Sequence, residues 1–335
     1  MSRIQYQHTY DYIISLENLL DAWTEFAKGK RSRADVQVFE RNLMGNIISL
    51  HRALAAKTYV HSAYRIFKIA DPKPRVIHTA SVRDRLLHHA LHRKLSPFFA
   101  NTFIADSNSC QVGKGSHRAL RRFGKFINVV SENNTKTVWV LKCDIRKFFA
   151  SINQAILLDI TAEYIPDKNI FWLVLAIVGS FHSGTAGVGL PLGNLTSQLL
   201  SNIYMNEFDQ FVKHRLKAKH YLRYADDFVV LLNKREYLEN ISLAMQEFLG
   251  QKLKLFMHPN KIFIQTTASG VDFLGWVHFS DHRVLRTTTK KRMFENIRTK
   301  KGKFETIQSY IGLVSHGNGW GLRQKIENWP FSCRN

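Results

Sequence analysis

The segment YLRYADDFVVLL (221–232) constrains this chain more than any other. Two runs of apolar, β-branched and aromatic residues flank Tyr224-Ala225-Asp226-Asp227, a pattern of two strands joined at a tight turn. The turn carries two adjacent carboxylates. Desolvated like charges repel unless something neutralises them. Two readings stay open at this point. Either a divalent cation sits at the tip of a buried hairpin, or Ala225-Asp226-Asp227 is an ordinary exposed turn, where acids are common.

With 335 residues and 45% apolar content, the chain can bury a large core divided over two or three structural units. Lys and Arg total 48 against 26 acids, a formal net charge of +22. An excess of this size repels itself unless a polyanion is nearby, which points to nucleic acid. A merely soluble basic protein, or one drawn to an acidic membrane, is the alternative, but no amphipathic anchor is visible. Cys110, Cys143 and Cys333 are far apart and lack metal-ligand spacing, so neither a disulfide framework nor a zinc site is indicated. Adjacent histidines such as His88 and His89 read as facing solvent or nucleic acid. The N-terminus has no apolar signal-peptide core, and the longest apolar run, Phe171 to Val178, suits a buried helix rather than a membrane span. A reducing cytoplasm (bacterial, archaeal or phage-encoded) is the expected location.

Residues 10–56 place Ile13, Leu16, Leu19, Leu20, Trp23, Phe39, Leu43, Ile47 and Leu50 at helical spacing, which predicts two helices around a basic hinge at 28–33. Tyr64 to Ile77 alternates like strands interrupted by Pro72 and Pro74, and a helix should run from Val82 to about Leu95, stopping at Ser96-Pro97. Residues 116–130 read as a helix with Arg118, Arg121, Arg122 and Lys125 on a basic face. A buried strand, TVWVLKCD (137–144), ends in Asp144. Residues 153–181 are helical in pattern, 183–193 form a glycine-rich loop, and a long helix follows from near Thr196 through Lys217. Another helix at 235–250, short strands through Phe279 and a basic helical tail from Thr287 complete an α+β order.

Three segments make compatible demands. Asp144 closes one apolar strand, and a strand end beside a hairpin tip lets Asp144 and Asp226 converge despite their separation in sequence. Carboxylates gathered in this way suit Mg²⁺. Two such ions can activate an attacking hydroxyl and stabilise a leaving oxygen in phosphoryl transfer. The third segment, GLPLGNLTSQ (189–198), has glycines that let a backbone approach a flat ligand, ahead of a helix N-terminus.

CDIRKFFASI (143–152), GLPLGNLTSQLLSNIYMNEFDQF (189–211) and YLRYADDFVVLL (221–232) resemble, in order, the A, B and C motifs of reverse transcriptases. PKPRVIHTASVRDRLLHHAL (72–91) and SNSCQVGKGSHRAL (107–120) resemble the two fingers motifs, while LKLFMHPNKIFI (253–264) and VDFLGWVHF (271–279) are similar to motifs D and E. The resemblance implies an α+β right-hand polymerase fold. Residues 1–135 would form N-terminal helices and fingers, 136–280 a palm with a fingers insertion around 153–188, and 281–335 a basic helical thumb. Many reverse transcriptases carry Gln before the motif B glycine and Pro after its Ser. Leu192 and Gln198 stand there instead, a pattern similar to the diversity-generating retroelement type, in which no appended endonuclease or maturase region is expected.

That resemblance implies an RNA-directed DNA polymerase that copies a template RNA into adenine-mutagenised cDNA. Retron, group II intron-like and defence-associated reverse transcriptases, and a catalytically dead RNA-binding scaffold, are the competing readings. Asp144 and Asp226 would hold two Mg²⁺ ions (Mn²⁺ as substitute), with the Ile145 carbonyl assisting and Asp227 in support. Phe149 would be the steric gate that selects dNTPs, or else simple core. Arg75 would clamp the triphosphate, with Lys73 assisting, and Leu192, Gly193 and Gln198 would border the nascent base pair. Lys261 would be a proton donor to pyrophosphate; Lys73 and Lys261 also read as solvated surface charges. Lys290, Lys291, Arg292, Arg298, Lys300, Lys301 and Lys303 would track an RNA–DNA duplex, or form a solvated helix face. A small basic accessory protein is the implied partner, with residues 10–56 and the fingers as docking surfaces, and no membrane is involved.

Overall fold

A computed structural model describes residues 3–70 and 74–329. In chain order the helices are α1 (Tyr10–Ile14), α2 (Leu16–Ala27), α3 (Ala34–Glu40), α4 (Leu43–Ala55), α5 (Val82–Ala100), α6 (Ser116–Val130), α7 (Phe148–Ser151), α8 (Gln154–Tyr164), α9 (Lys168–Val178), α10 (Leu195–Gln210), α11 (Arg235–Lys252), α12 (Thr287–Thr299), α13 (Phe304–Val314) and α14 (Trp320–Glu327). The strands are β1 (Arg65–Ile69), β2 (Arg75–Thr79), β3 (Trp139–Asp144), β4 (Tyr221–Tyr224), β5 (Asp227–Leu232), β6 (Phe263–Thr266), β7 (Val271–Phe273), β8 (Trp276–His278) and β9 (Arg283–Leu285). The chain divides into two units, each assembled from separate stretches of sequence.

The first unit holds residues 1–105, 145–215 and 245–257. It is mostly helical, with α2 and α10 packed on α5 and the antiparallel β1–β2 hairpin attached. Local chemistry sets the helix starts. Ser15 Oγ accepts from the Asn18 N–H at 3.1 Å, and Ser81 Oγ accepts from the Asp84 N–H at 3.2 Å. Several sequence expectations need correction here. Residues 10–56 form four helices rather than two, because Ser15 caps a new helix and the chain breaks again at Arg41-Asn42, although the hinge at 28–33 is present. Helix α5 runs through Pro97 to Ala100. A proline this close to a helix end removes a single backbone bond, and the burial of Leu95 and Phe99 on either side offsets that loss. The 153–181 segment is two helices, since Pro166 ends α8 and Asp167 Oδ1 caps α9, accepting from Asn169 N–H at 2.8 Å. His88 does not face solvent. It is 1% exposed, stacked on His61 with Nε2 atoms 3.3 Å apart.

The second unit holds residues 106–144, 216–244 and 258–335. Its centre is an antiparallel sheet in the order β4-β5-β3-β6, beside a smaller antiparallel sheet β7-β8-β9. One apolar core joins the large sheet (Val140, Leu222, Val229, Leu231) to α6 (Ala119, Leu120, Phe123, Phe126), the small sheet and the tail helices (Met293, Ile297, Ile307, Ile326). The tail is three helices preceded by β9, a strand too short to show a period in sequence. The arginines and lysines of its described residues lie outside that core, and helices α12 to α14 each bury only one or two apolar positions.

Candidate active site

Register decides which acids meet. On β3 and β5 Asp144 is the direct cross-strand partner of Asp227, and on β4 and β5 Tyr224 also pairs with Asp227. Ala225 and Asp226 therefore form a two-residue turn, with Ala225 at φ +54°, a left-handed conformation that alanine adopts only under strain. Direct partners project from the same face of a sheet, so Asp144 and Asp227 lie side by side there, while Asp226 stands at the turn. Lys142, two residues before Asp144, shares that face.

The electrostatics follow. Burial pushes the Asp227 carboxyl up to about 6; Asp226 and Asp144 push in the same direction, while Lys142 and Lys261 oppose them. Lys261 Nζ pairs with Asp144 Oδ1 at 2.8 Å, so the predicted proton donor stands against the predicted metal ligand. The carboxylates supply hard oxygen donors of the type Mg²⁺ or Mn²⁺ takes, and their mutual repulsion is relieved by a cation. Among the described residues no three acidic, histidine or cysteine side chains are already gathered as a metal cage, and the ammonium of Lys261 supplies the positive charge beside Asp144. The donor set fits a divalent ion, and Asp144 is held by Lys261 in this arrangement.

Arg223 is the residue that sequence reasoning missed. It is 0% exposed, on β4 next to the acidic turn. Its Nη1 donates to the Ala225 carbonyl at 3.1 Å, and its Nη2 donates to Ser107 Oγ at 3.1 Å. Its backbone N–H donates to the Asp106 carbonyl at 3.0 Å and its carbonyl accepts from Asn108 N–H at 3.0 Å, covering the edge of β4. Asp106 in turn pairs with Arg122 of α6, Oδ1 to Nε at 2.7 Å. A charged residue placed in an otherwise apolar strand was the available signal. The guanidinium ties the strained turn to the segment SNS (107–109).

In the first unit, Ile145 is 1% exposed and bridges Met257. Phe149 is half-buried on α7, and its carbonyl accepts from Leu190 N–H at 2.7 Å, linking that turn to the glycine-rich loop. The loop is also bound to β2, where His78 N–H donates to the Leu192 carbonyl at 3.1 Å. Gly193, at φ +114°, lies so close to Ile77 that a Cβ would come within 3.0 Å of its Cγ2. Glycine is favoured there by its backbone conformation and by the contact with Ile77. Gly193 and Gln198 line a cavity of about 410 Å³ together with Asn194, Arg85, Lys30 and Phe67. Among the described residues Asn194 Nδ2 and Arg85 Nε are buried without partners, which leaves donors available to a ligand. Arg75 is exposed at the start of β2, and Lys73 lies outside the described residues. In the second unit, Lys291, Arg298, Lys300, Lys301 and Lys303 are exposed, and Lys290 and Arg292 half-buried.

Residues 68–278 match the family model described as reverse transcriptase (RNA-dependent DNA polymerase). Protein YkfC of Escherichia coli K12 is 25% identical over 66% of this chain and 66% of its own length. The group II intron-encoded protein LtrA of Lactococcus lactis subsp. cremoris is 22% identical over 84% of this chain and 55% of LtrA. The putative COX1/OXI3 intron 2 protein of Saccharomyces cerevisiae is 19% identical over 72% of this chain and 34% of that protein. The chain thus spans just under two thirds of YkfC and a third to about half of the intron-encoded relatives. Among solved structures, telomerase from Candida albicans in complex with a fragment of telomeric RNA shares the fold, with a TM-score of 0.52 at 13% identity, covering 82% of this chain and 56% of the telomerase. Among the described residues no helix is long and apolar enough to cross a membrane. The family match takes in the acid-bearing strands, the glycine-rich loop and strand β2, well over half of the sequence, and the chain belongs to the reverse transcriptase (RNA-dependent DNA polymerase) family.

Proposed function

We propose that the protein is an RNA-directed DNA polymerase that extends a primer along a template RNA. The observation that carries this reading is the acid arrangement: Asp144 and Asp227 paired across strands, Asp226 at the turn, and Asp227 destabilised as a carboxylate by its surroundings. Such a cluster is unfavourable in the apo protein and favourable with a divalent cation. Asp144, Asp226 and Asp227, with the Ile145 carbonyl, would hold Mg²⁺, which when bound stabilises charge on the transferring phosphoryl group. Lys261, once freed from Asp144, would hold a proton for the departing pyrophosphate. Arg75 and Lys73 serve the triphosphate, a role suited to guanidinium. Phe149 excludes a ribose 2′-hydroxyl, and the cavity beside Gly193 and Gln198 takes a templating nucleotide. The exposed cations of α12 and the following turn bind the duplex backbone without reading sequence.

Within this activity, Leu192 favours the diversity-generating retroelement type. A Gln there can donate hydrogen bonds toward a base pair, and Leu cannot. Geometric policing of the pair is then weaker, and errors concentrate opposite template adenines. A small basic accessory protein on residues 10–56 belongs to the same reading. The likeness to LtrA and the yeast intron proteins favours a group II intron-like enzyme as the second reading. Primer extension with Mg²⁺ and dNTPs on an adenine-rich RNA, followed by sequencing of the cDNA, separates these. Extension abolished by Asp226→Asn with errors confined to adenines supports the first reading. Accurate cDNA supports the second, and no incorporation by the wild type would leave a scaffold role.

A further inference from the structure

Away from the acids, the second unit contains a polar cavity of about 440 Å³ lined by α6, the β8–β9 hairpin and the turn after α13. Helical spacing puts His117, Arg121, Gly124 and Asn128 on one face of α6, and the last two line the cavity. On the hairpin His278 and Arg283 are direct cross-strand partners. The walls are tied together: Asn318 N–H donates to the Arg283 carbonyl at 2.8 Å, and Arg283 Nε donates to the His316 carbonyl. The site is therefore preorganised rather than a gap between loose loops.

Two independent observations point to a ligand here. The first is charge. The His117 and His316 rings lie 3.8 Å apart between centroids, and Arg121 acts on both Arg283 and His316. Among the described residues neither Arg121 nor Arg283 has a carboxylate partner. Asp281, the acid of the lining, is exposed and held by His282 at 2.7 Å. The second is His278, which is 2% exposed, packs its ring on Phe123 at 4.5 Å and leaves Nε2 buried with no partner among the described residues. A buried polar nitrogen without a partner is rare and costly. Burial holds this imidazole neutral, down to about 3, so the free nitrogen is suited to a hydroxyl, which can donate or accept. Phe279 and His282 stack at 4.8 Å at the hairpin tip and offer a flat surface.

We propose that this cavity binds one nucleotide of a single-stranded RNA, with the phosphate against Arg283 and Arg121, the ribose hydroxyl on His278 and the base at Phe279 and His282. The site is separate from the duplex-binding cations of α12 and needs neither metal nor dNTP, so it stands whether or not the polymerase reading does. The test is fluorescence anisotropy of a short labelled single-stranded RNA, with excess unlabelled RNA–DNA duplex present to occupy the polymerase surface. Gly124→Glu is the informative variant. Among the described residues nothing beyond its chain neighbours and the helix's own backbone lies within 4 Å of the Cβ position, and Glu is a better helix former than Gly, so the variant should fold while placing a carboxylate in the cavity. Gly124→Glu and Arg121→Gln should each weaken RNA binding about tenfold at low salt, and Arg121→Gln should flatten the log–log salt slope by about 0.7. Gly124→Ala should bind as the wild type does, and the same sequence as DNA should bind several-fold more weakly. Unchanged RNA affinity in both charge variants, equal affinity for DNA, or displacement of the RNA by millimolar inorganic phosphate would each overturn the proposal, the last by making this a free-anion site.

Discussion

Replacing Asp227 by Asn should make the metal-free protein more stable, by an amount that depends on pH. The carboxyl stands at about 6 against an ordinary value of 3.8, a difference of about two pH units. At about 1.36 kcal/mol per unit, ionising it in the folded protein costs about 3 kcal/mol. The sign follows from the raised value: the folded state prefers the protonated acid. The wild type is thus unhampered below the unfolded value near 3.8, loses stability as pH rises through about 6, and bears the whole penalty above it. Asn never ionises, so the gain from Asp227→Asn should be about 3 kcal/mol at pH 8 and roughly 0.5 kcal/mol at pH 4. Urea unfolding followed by tryptophan fluorescence, at both pH values and in chelator, measures it. Added Mg²⁺ should then stabilise the wild type and leave the variant little changed, closing the gap at pH 8. A variant less stable than the wild type at pH 8, or a gain that is the same at both pH values, would refute the reasoning.

Arg223→Met keeps the bulk of the buried side chain but removes the donors to Ala225 and Ser107; kcat should fall at least tenfold and the Mg²⁺ requirement rise, with KM for dNTP little changed, and Arg223→Lys should recover part of the loss. A kcat unchanged in Arg223→Met at saturating Mg²⁺ would show that the turn needs no such tie. Lys261→Met frees Asp144, so half-saturation by Mg²⁺ should move to lower concentration while kcat falls several-fold, readable in a metal titration of primer extension. Leu192→Gln should lower misincorporation opposite template adenines in sequenced cDNA, and an unchanged error spectrum would remove Leu192 from the explanation. Duplex binding by the α12 cations should weaken with salt, each of Lys291→Gln and Arg298→Gln reducing the log–log slope by about 0.9.

Much of this molecule was legible in the chain because its signals are local. The apolar, β-branched runs in TVWVLKCD and YLRYADDFVVLL, the helical stripe of 116–130 and the glycines of 183–193 depend on neighbours in sequence, and each appears as an element or loop where expected. The misreadings arose where a local rule met a tertiary force. Pro97 signalled a helix end, yet burial of Phe99 carried α5 on to Ala100. The His88-His89 pair looked like surface, yet His88 is packed against His61 inside the helical unit.

The acids were visible from sequence because two adjacent carboxylates within apolar strands need a reason, and that reason is chemical rather than geometric. Which acid faces which was not visible. A side-chain period of two makes the choice between Asp226 and Asp227 depend on register, and register is set by how β3 and β5 pair across more than eighty intervening residues. The same holds for Arg223, whose buried guanidinium donates hydrogen bonds to Ser107 and the Ala225 carbonyl, and for His278 and Arg283, which meet across a hairpin beside a helix from much earlier in the chain. Sequence determined that this chain carries an acid-bearing strand pair and a strong positive charge. Folding decided where the repulsion among those acids is concentrated, what holds their turn, and where positive charge gathers, since desolvation and pairing are properties of three-dimensional neighbours.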